Sequence, residues 1–107
     1  MSDDDCLDDG GALSLDDGAV RRTCRIVNRK GLHARATAKF VQCVERFDAD
    51  VKVSRCGETV GGQSIMGILT LGAGMGSSVI LSATGPQADA AITALAELIG
   101  NRFGEDE

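Results

Sequence analysis

Tryptophan and tyrosine are absent from this chain, and phenylalanine occurs only three times among its 107 residues. So poor a supply of aromatic faces argues against a nucleic-acid binder that stacks unpaired bases on such rings. It also leaves the core to Val, Ile, Leu and Ala, drawn from a hydrophobic fraction of 43%. Histidine occurs once, and Cys6, Cys24, Cys43 and Cys56 form no C-x-x-C pair. One imidazole cannot complete the usual Cys/His zinc patterns, so neither a metal nor a cofactor is expected. No apolar run approaches the roughly 18 residues that a spanning helix needs, which argues against membrane insertion. The N-terminus is acidic and lacks the apolar run of a signal peptide. These absences point to a cytoplasmic protein whose cysteines are free thiols and small buried hydrophobes.

What charge there is lies unevenly. Residues 1–19 hold seven Asp and no Lys or Arg, whereas ten of the 11 basic residues fall between Arg21 and Arg55. That division predicts a flexible acidic extension over residues 1–19 and one folded domain over residues 20–107. The basic excess of the domain suits an anionic ligand or partner and is too mild for DNA.

Arg21–Val27 alternates, with Arg22, Cys24 and Ile26 opposing Thr23, Arg25 and Val27, as a strand does. Asn28–Gly31 breaks the pattern. Thr37, Phe40, Val41, Val44 and Phe47 then form one apolar stripe on a helix of about 14 residues from Ala34 to Phe47. Val51–Ser54 is a second strand, Cys56-Gly57-Glu58 a hairpin turn and Thr59–Gly61 a short third strand. Ser64 is placed to cap a short helix from Ile65 to about Thr70. Leu71–Gly76 is a glycine-rich, flexible connection, and Ser78–Ala83 a fourth strand. Pro86 marks the start of a last helix whose stripe is Ala88, Ala91, Ile92, Leu95, Leu98 and Ile99, with Gly100-Asn101 as its stop. The order is βαββαβα, without solenoid-length repeats. Single-sided helical stripes predict an α+β fold: an open-faced two-layer sandwich, with a four-stranded antiparallel sheet and three helices on one face.

His33 falls between the Gly31 loop and the first periodic residues of the helix, at or next to its N-cap. There the first-turn N–H groups lack helical partners and the macrodipole is positive, so a phosphoryl group meets ready donors. Arg35 adds a forked guanidinium. A neutral imidazole is a nucleophile near neutral pH, and phosphate held on its nitrogen stays reactive enough to pass on. The chemistry suggested is covalent carriage. Read on its own, a lone histidine at a helix start is more often a capping or surface residue.

Gly31-Leu32-His33-Ala34-Arg35 resembles the active-site signature of the histidine-containing phosphocarrier family, HPr, of the bacterial phosphotransferase system. Gln63–Leu71 resembles that family's regulatory-serine region, at the family's spacing from the histidine. The resemblance runs from about Arg21 to Arg102. It implies that His33 takes phosphate on Nδ1 from the phosphohistidine of enzyme I and gives it to a IIA-type domain. It further implies that Arg35 and the backbone amides of Ala34 and Arg35 steady the group. Ser64 matches the serine modified by HPr kinase/phosphorylase, although a plain helix N-cap explains a serine there equally well. Ile65, Met66, Ile68, Leu69 and Leu71 are too many apolar side chains for one buried stripe. The resemblance implies that this helix and the histidine-bearing one form a partner-docking surface, to which Ile65, Met66 and Leu69 are assigned with Arg35, Lys39 and Arg46 as its basic rim, although a place in the core explains each apolar residue equally well. A monomer is expected.

Two features depart from the family pattern. Ala36 stands where proline is common, and the acidic extension has no counterpart. The sequence leaves open a carrier of the related nitrogen-linked relay, or a regulatory binding module controlled through Ser64. Gly72–Gly76 does not make a dinucleotide site, because it follows a helix and precedes a strand.

Overall fold

A computed structural model describes residues 19–104. The acidic extension, apart from Ala19, lies outside the described residues. The strands are β1 (Val20–Arg25), β2 (Asp50–Arg55), β3 (Glu58–Gly61) and β4 (Ser78–Thr84). The helices are α1 (Ala34–Val44), α2 (Ile65–Leu71) and α3 (Ala88–Gly100). One sheet, in the order β1-β4-β2-β3, is antiparallel throughout. The βαββαβα order and the open antiparallel sheet are as the sequence predicts.

Alternation decides the faces of the sheet. Cys24, Val51, Val53, Val79, Leu81 and Ala83 turn inward and are buried. The helices meet them with Phe40, Val44, Ile68, Ala91, Leu95 and Ile99. The register Val20↔Ala83 to Arg25↔Ser78 brings the end of β1 beside the start of β4. The chain then pairs once more, with Ile26 N donating to Ser77 O and Gly76 N to Ile26 O, both at 2.8 Å. The β2–β3 hairpin turns through Cys56 and Gly57 at φ 54 and 84. A two-residue turn with both central φ positive matches the twist of the strands it joins.

Four sequence expectations need correction. α1 stops at Val44, not Phe47, because Arg46 N and Phe47 N tighten onto the carbonyls of Cys43 and Val44. α3 starts at Ala88, two residues beyond Pro86. Gln87 is held outside the helix by the Asp48 backbone: Asp48 N donates to Gln87 Oε1 (2.6 Å) and Gln87 N to Asp48 O (3.0 Å). The core is not purely aliphatic. Phe40 and Phe103 are its largest fully buried side chains, and Phe103 enters it from a left-handed turn at Arg102–Gly104 that aliphatic periodicity does not announce. Finally, Cys24 and Cys43 are buried free thiols, but Cys56, exposed at the hairpin tip, is disulfide-bonded. Exposure makes that thiol accessible to exchange, which burial denies the other two.

Candidate functional site

His33 is the N-cap residue of α1, with extended backbone (φ −79, ψ −177) and no side-chain bond to the helix it begins. Its carbonyl accepts from Thr37 N at 2.9 Å, which starts the helical ladder. The N–H groups of Ala34, Arg35 and Ala36 precede that first bond, so none has a carbonyl four residues back within the helix. The cap side chain does not consume them. The ring is half-buried, while Ala34 and Arg35 are exposed. His33 and Arg35 thus share the first turn with backbone N–H groups that have no helical carbonyl to meet, an arrangement that suits a dianion.

The loop before His33 is tightly specified. Gly31 has φ 66, and a Cβ placed there would lie 2.5 Å from the carbonyl oxygen of Ala73 and 2.6 Å from Gly74 Cα. The approach is that close because Leu32 N donates to Ala73 O at 2.9 Å. Buried Asn28 closes the loop, its Nδ2 donating to Gly31 O at 2.9 Å and its own carbonyl accepting from Gly31 N at 3.2 Å. Thr37 Oγ1 donates to Leu32 O at 3.2 Å from inside the core. The glycine-rich segment after α2 is therefore a brace for the histidine loop, with Ala73 3% exposed, and not the loose connection the sequence suggests.

Ser64 is exposed and caps α2. Its Oγ accepts from Gly67 N at 3.1 Å, and its carbonyl accepts from Ile68 N at 2.9 Å. Gly67 is small by requirement, since a Cβ there would sit 2.8 Å from Ser64 Oγ. The far end of α2 is closed by Gly72 in the left-handed conformation and by Arg55, whose Nη1 donates to Leu71 O at 2.8 Å. Cations favour such carbonyl-rich ends.

Along α2 the apolar residues divide. Ile68 and Leu71 are buried, Leu69 is half-buried, and Ile65 and Met66 are 43% and 70% exposed. Val27 and Met75 are also exposed apolar residues, and the Ile26–Gly76 backbone bond brings their segments together beside the histidine loop. The sequence reading missed both. The only signal for Met75 was a large apolar residue among glycines.

The basic residues are dispersed. Lys39 is half-buried, and its ammonium donates to Phe103 O at 2.6 Å. Arg46 lies beyond the opposite end of α1, its guanidinium 5.9 Å from the Phe47 ring centroid and Nη2 3.6 Å from Cys43 Sγ. Arg35 shares the first turn of α1 with His33, whereas Arg46 lies roughly 20 Å further along the helix axis, at about 1.5 Å per residue. A groove of about 450 Å³ between α1 and α3 includes Lys39, Gln42, Arg46 and Glu97 but not His33. Among the described residues no cluster of three or more metal-ligating side chains occurs, and no helix is long and apolar enough to cross a membrane.

Comparison with known proteins matches this geometry. The family model for the PTS HPr component phosphorylation site covers residues 20–101. The phosphocarrier protein HPr of Cupriavidus necator is 49% identical over 88 residues, covering 82% of this chain and 99% of the relative. The crystal structure of HPr-C-His from Thermoanaerobacter tengcongensis superposes with a TM-score of 0.79 at 42% identity, over 82% of this chain and 99% of that one. A dimeric HPr structure from the same organism gives a TM-score of 0.65 at 44% identity, over 76% and 93%. The chain belongs to the HPr family, the phosphocarriers of the phosphotransferase system.

Proposed function

We propose that His33 is the residue that carries the phosphoryl group. Its neutral imidazole attacks phosphorus on the phosphohistidine of enzyme I. A new N–P bond forms at Nδ1 as the donor's N–P bond breaks, and the donor histidine leaves with the electron pair. Transfer to a histidine on a IIA-type domain repeats the exchange with His33 as the leaving group. Nothing is hydrolysed, and the protein returns unchanged, as a carrier does. Ala34 and Arg35 supply backbone donors, and Arg35 supplies its guanidinium. The observation that carries the reading is a nucleophilic side chain at the N-cap of α1 that leaves the first-turn amides unconsumed.

The apolar exposure of Ile65 and Met66, with half-buried Leu69, supports α2 as part of the docking surface, and Arg35 edges it. Lys39 and Arg46 contribute less there, one engaged with a carbonyl and the other remote. The partners on this reading are enzyme I and IIA-type domains, met in the cytoplasm by a monomer. Ser64 is an exposed hydroxyl that HPr kinase/phosphorylase would find accessible. A phosphate there would add nearly two negative charges beside Ile65 and Met66 and weaken docking of an acidic partner.

The test is incubation of the full chain with enzyme I and labelled phosphoenolpyruvate. One base-stable, acid-labile phosphate per chain is expected, lost in His33→Ala and discharged by a IIA domain. Label that survives acid, or that persists in His33→Ala, contradicts the assignment.

A further inference from the structure

Thr37 lies in the apolar stripe of α1 and is fully buried, one of four buried polar residues among those described, with Asn28, Ser54 and Ser77. A threonine inside a helix commonly returns its hydroxyl to the carbonyl three or four positions back. Thr37 does otherwise. Its N–H takes the carbonyl four back, His33 O at 2.9 Å, and its Oγ1 reaches one residue further, to Leu32 O at 3.2 Å. One residue thus donates to two consecutive carbonyls.

Those carbonyls belong to the two peptide groups on either side of the His33 α-carbon. A peptide group is planar, so holding both planes holds both backbone torsions between them. For His33 these are φ −79 and ψ −177. They set the direction of its Cα–Cβ bond and leave the ring two torsions of its own. The segment behind is held as firmly. Gly31 and Leu32 are buried, with both backbone groups of Gly31 bonded to Asn28 and Leu32 N to Ala73 O. Ahead, Ala34 and Arg35 are exposed. Without the hydroxyl, the Leu32 carbonyl would lose its donor from inside the core, and a buried acceptor left alone pulls its peptide toward another partner.

We propose that Thr37 is a positioning residue for phosphoryl transfer: through the Leu32 and His33 carbonyls it sets the line along which the ring meets phosphorus. The inference rests on carriage by His33. Thr37 is too deep to touch phosphate or partner, so its hydroxyl governs how often a docked pair reacts and not how readily the pair docks. A reacting group displaced by about 1 Å can lose up to about a hundredfold in rate.

Initial rates of label uptake from enzyme I and phosphoenolpyruvate are measured on the full chain over a range of carrier concentrations. Thr37→Val keeps the side-chain shape and the backbone N–H and removes the hydroxyl. Its maximal rate should fall about tenfold, with the half-saturating concentration within about twofold of the parent's. Thr37→Ser restores the hydroxyl and should recover most of the rate. Thr37→Ala, a good helix former, gives the same loss should the second methyl of valine disturb the core. Ser54→Ala removes another buried hydroxyl bond, the 2.8 Å contact with Thr59 Oγ1, and should leave both parameters alone. A parental maximal rate in Thr37→Val and Thr37→Ala, a loss confined to half-saturation, a serine variant as slow as the valine one, or an equal loss in Ser54→Ala overturns the inference. A parent chain that takes no label on His33 overturns the carriage reading itself, and this inference with it.

Discussion

At the start of α2, the Ser64 hydroxyl accepts from Gly67 N. At the start of α1, the His33 ring makes no such bond. Both residues are N-caps with extended backbone, and both hand their carbonyl to the residue four positions on. They differ in what becomes of the first-turn amides. Ser64 spends one on stability. His33 forgoes the roughly 1 kcal/mol that a serine, threonine or aspartate cap contributes, and its helix keeps donors for an incoming anion. The contrast separates an end whose first-turn amide is engaged by its own cap from one whose cap side chain leaves the amides alone.

Converting one end into the other gives the largest effect. His33→Ser should abolish phosphoryl acceptance from enzyme I while raising stability by about 0.5–1 kcal/mol, read from label incorporation and the urea midpoint. Loss of stability in that variant would mean that the ring holds the loop, and the comparison would fail. Gly31→Ala strikes the support of the α1 end alone. A Cβ 2.5 Å from the Ala73 oxygen, on a residue at φ 66, should cost at least about 2 kcal/mol and slow transfer by displacing His33. Ser64→Ala strikes the α2 end alone, costing about 1 kcal/mol and leaving acceptance on His33 nearly intact.

The smallest effect tests a site remote from both ends. Burial raises the Cys24 thiol above its ordinary range, and the positive charge of Arg22 offsets this only in part. The folded group therefore ionises at higher pH than the unfolded one. Its contribution to stability is constant below the unfolded thiol's range and declines as pH rises through that range toward the folded value. Native Cys24 should alkylate more slowly at pH 8–9 than in denaturant, as peptide mapping will show, with labelling at equal rates the contrary result.

Legibility in the sequence followed period and punctuation. The α1 stripe at Thr37, Phe40, Val41 and Val44 marks a helix, and Cys56-Gly57 a turn, because each reports a local requirement of the backbone. The place of His33 was legible for the same reason, since a glycine loop followed by a 3.6-residue period fixes a helix start. Relations between distant segments were not. Nothing around Gly72–Gly76 shows that Ala73 O will brace Leu32. Nothing near Phe103 shows that a left-handed turn will carry it into the core, and nothing near Lys39 that its ammonium will meet Phe103 O across 64 positions. Lys39 and Arg46 read alike as basic residues near one helix, yet their contacts send them to different work.

The hydrogen bond between Leu32 N and Ala73 O joins the segment that enters α1 to the segment that leaves α2. A messenger that visits two unlike hosts cannot borrow its shape from either. On the proposed carriage by His33, this strut lets the protein bring its own alignment to each meeting, so that donor and acceptor need only recognise the surface and find the ring already in register.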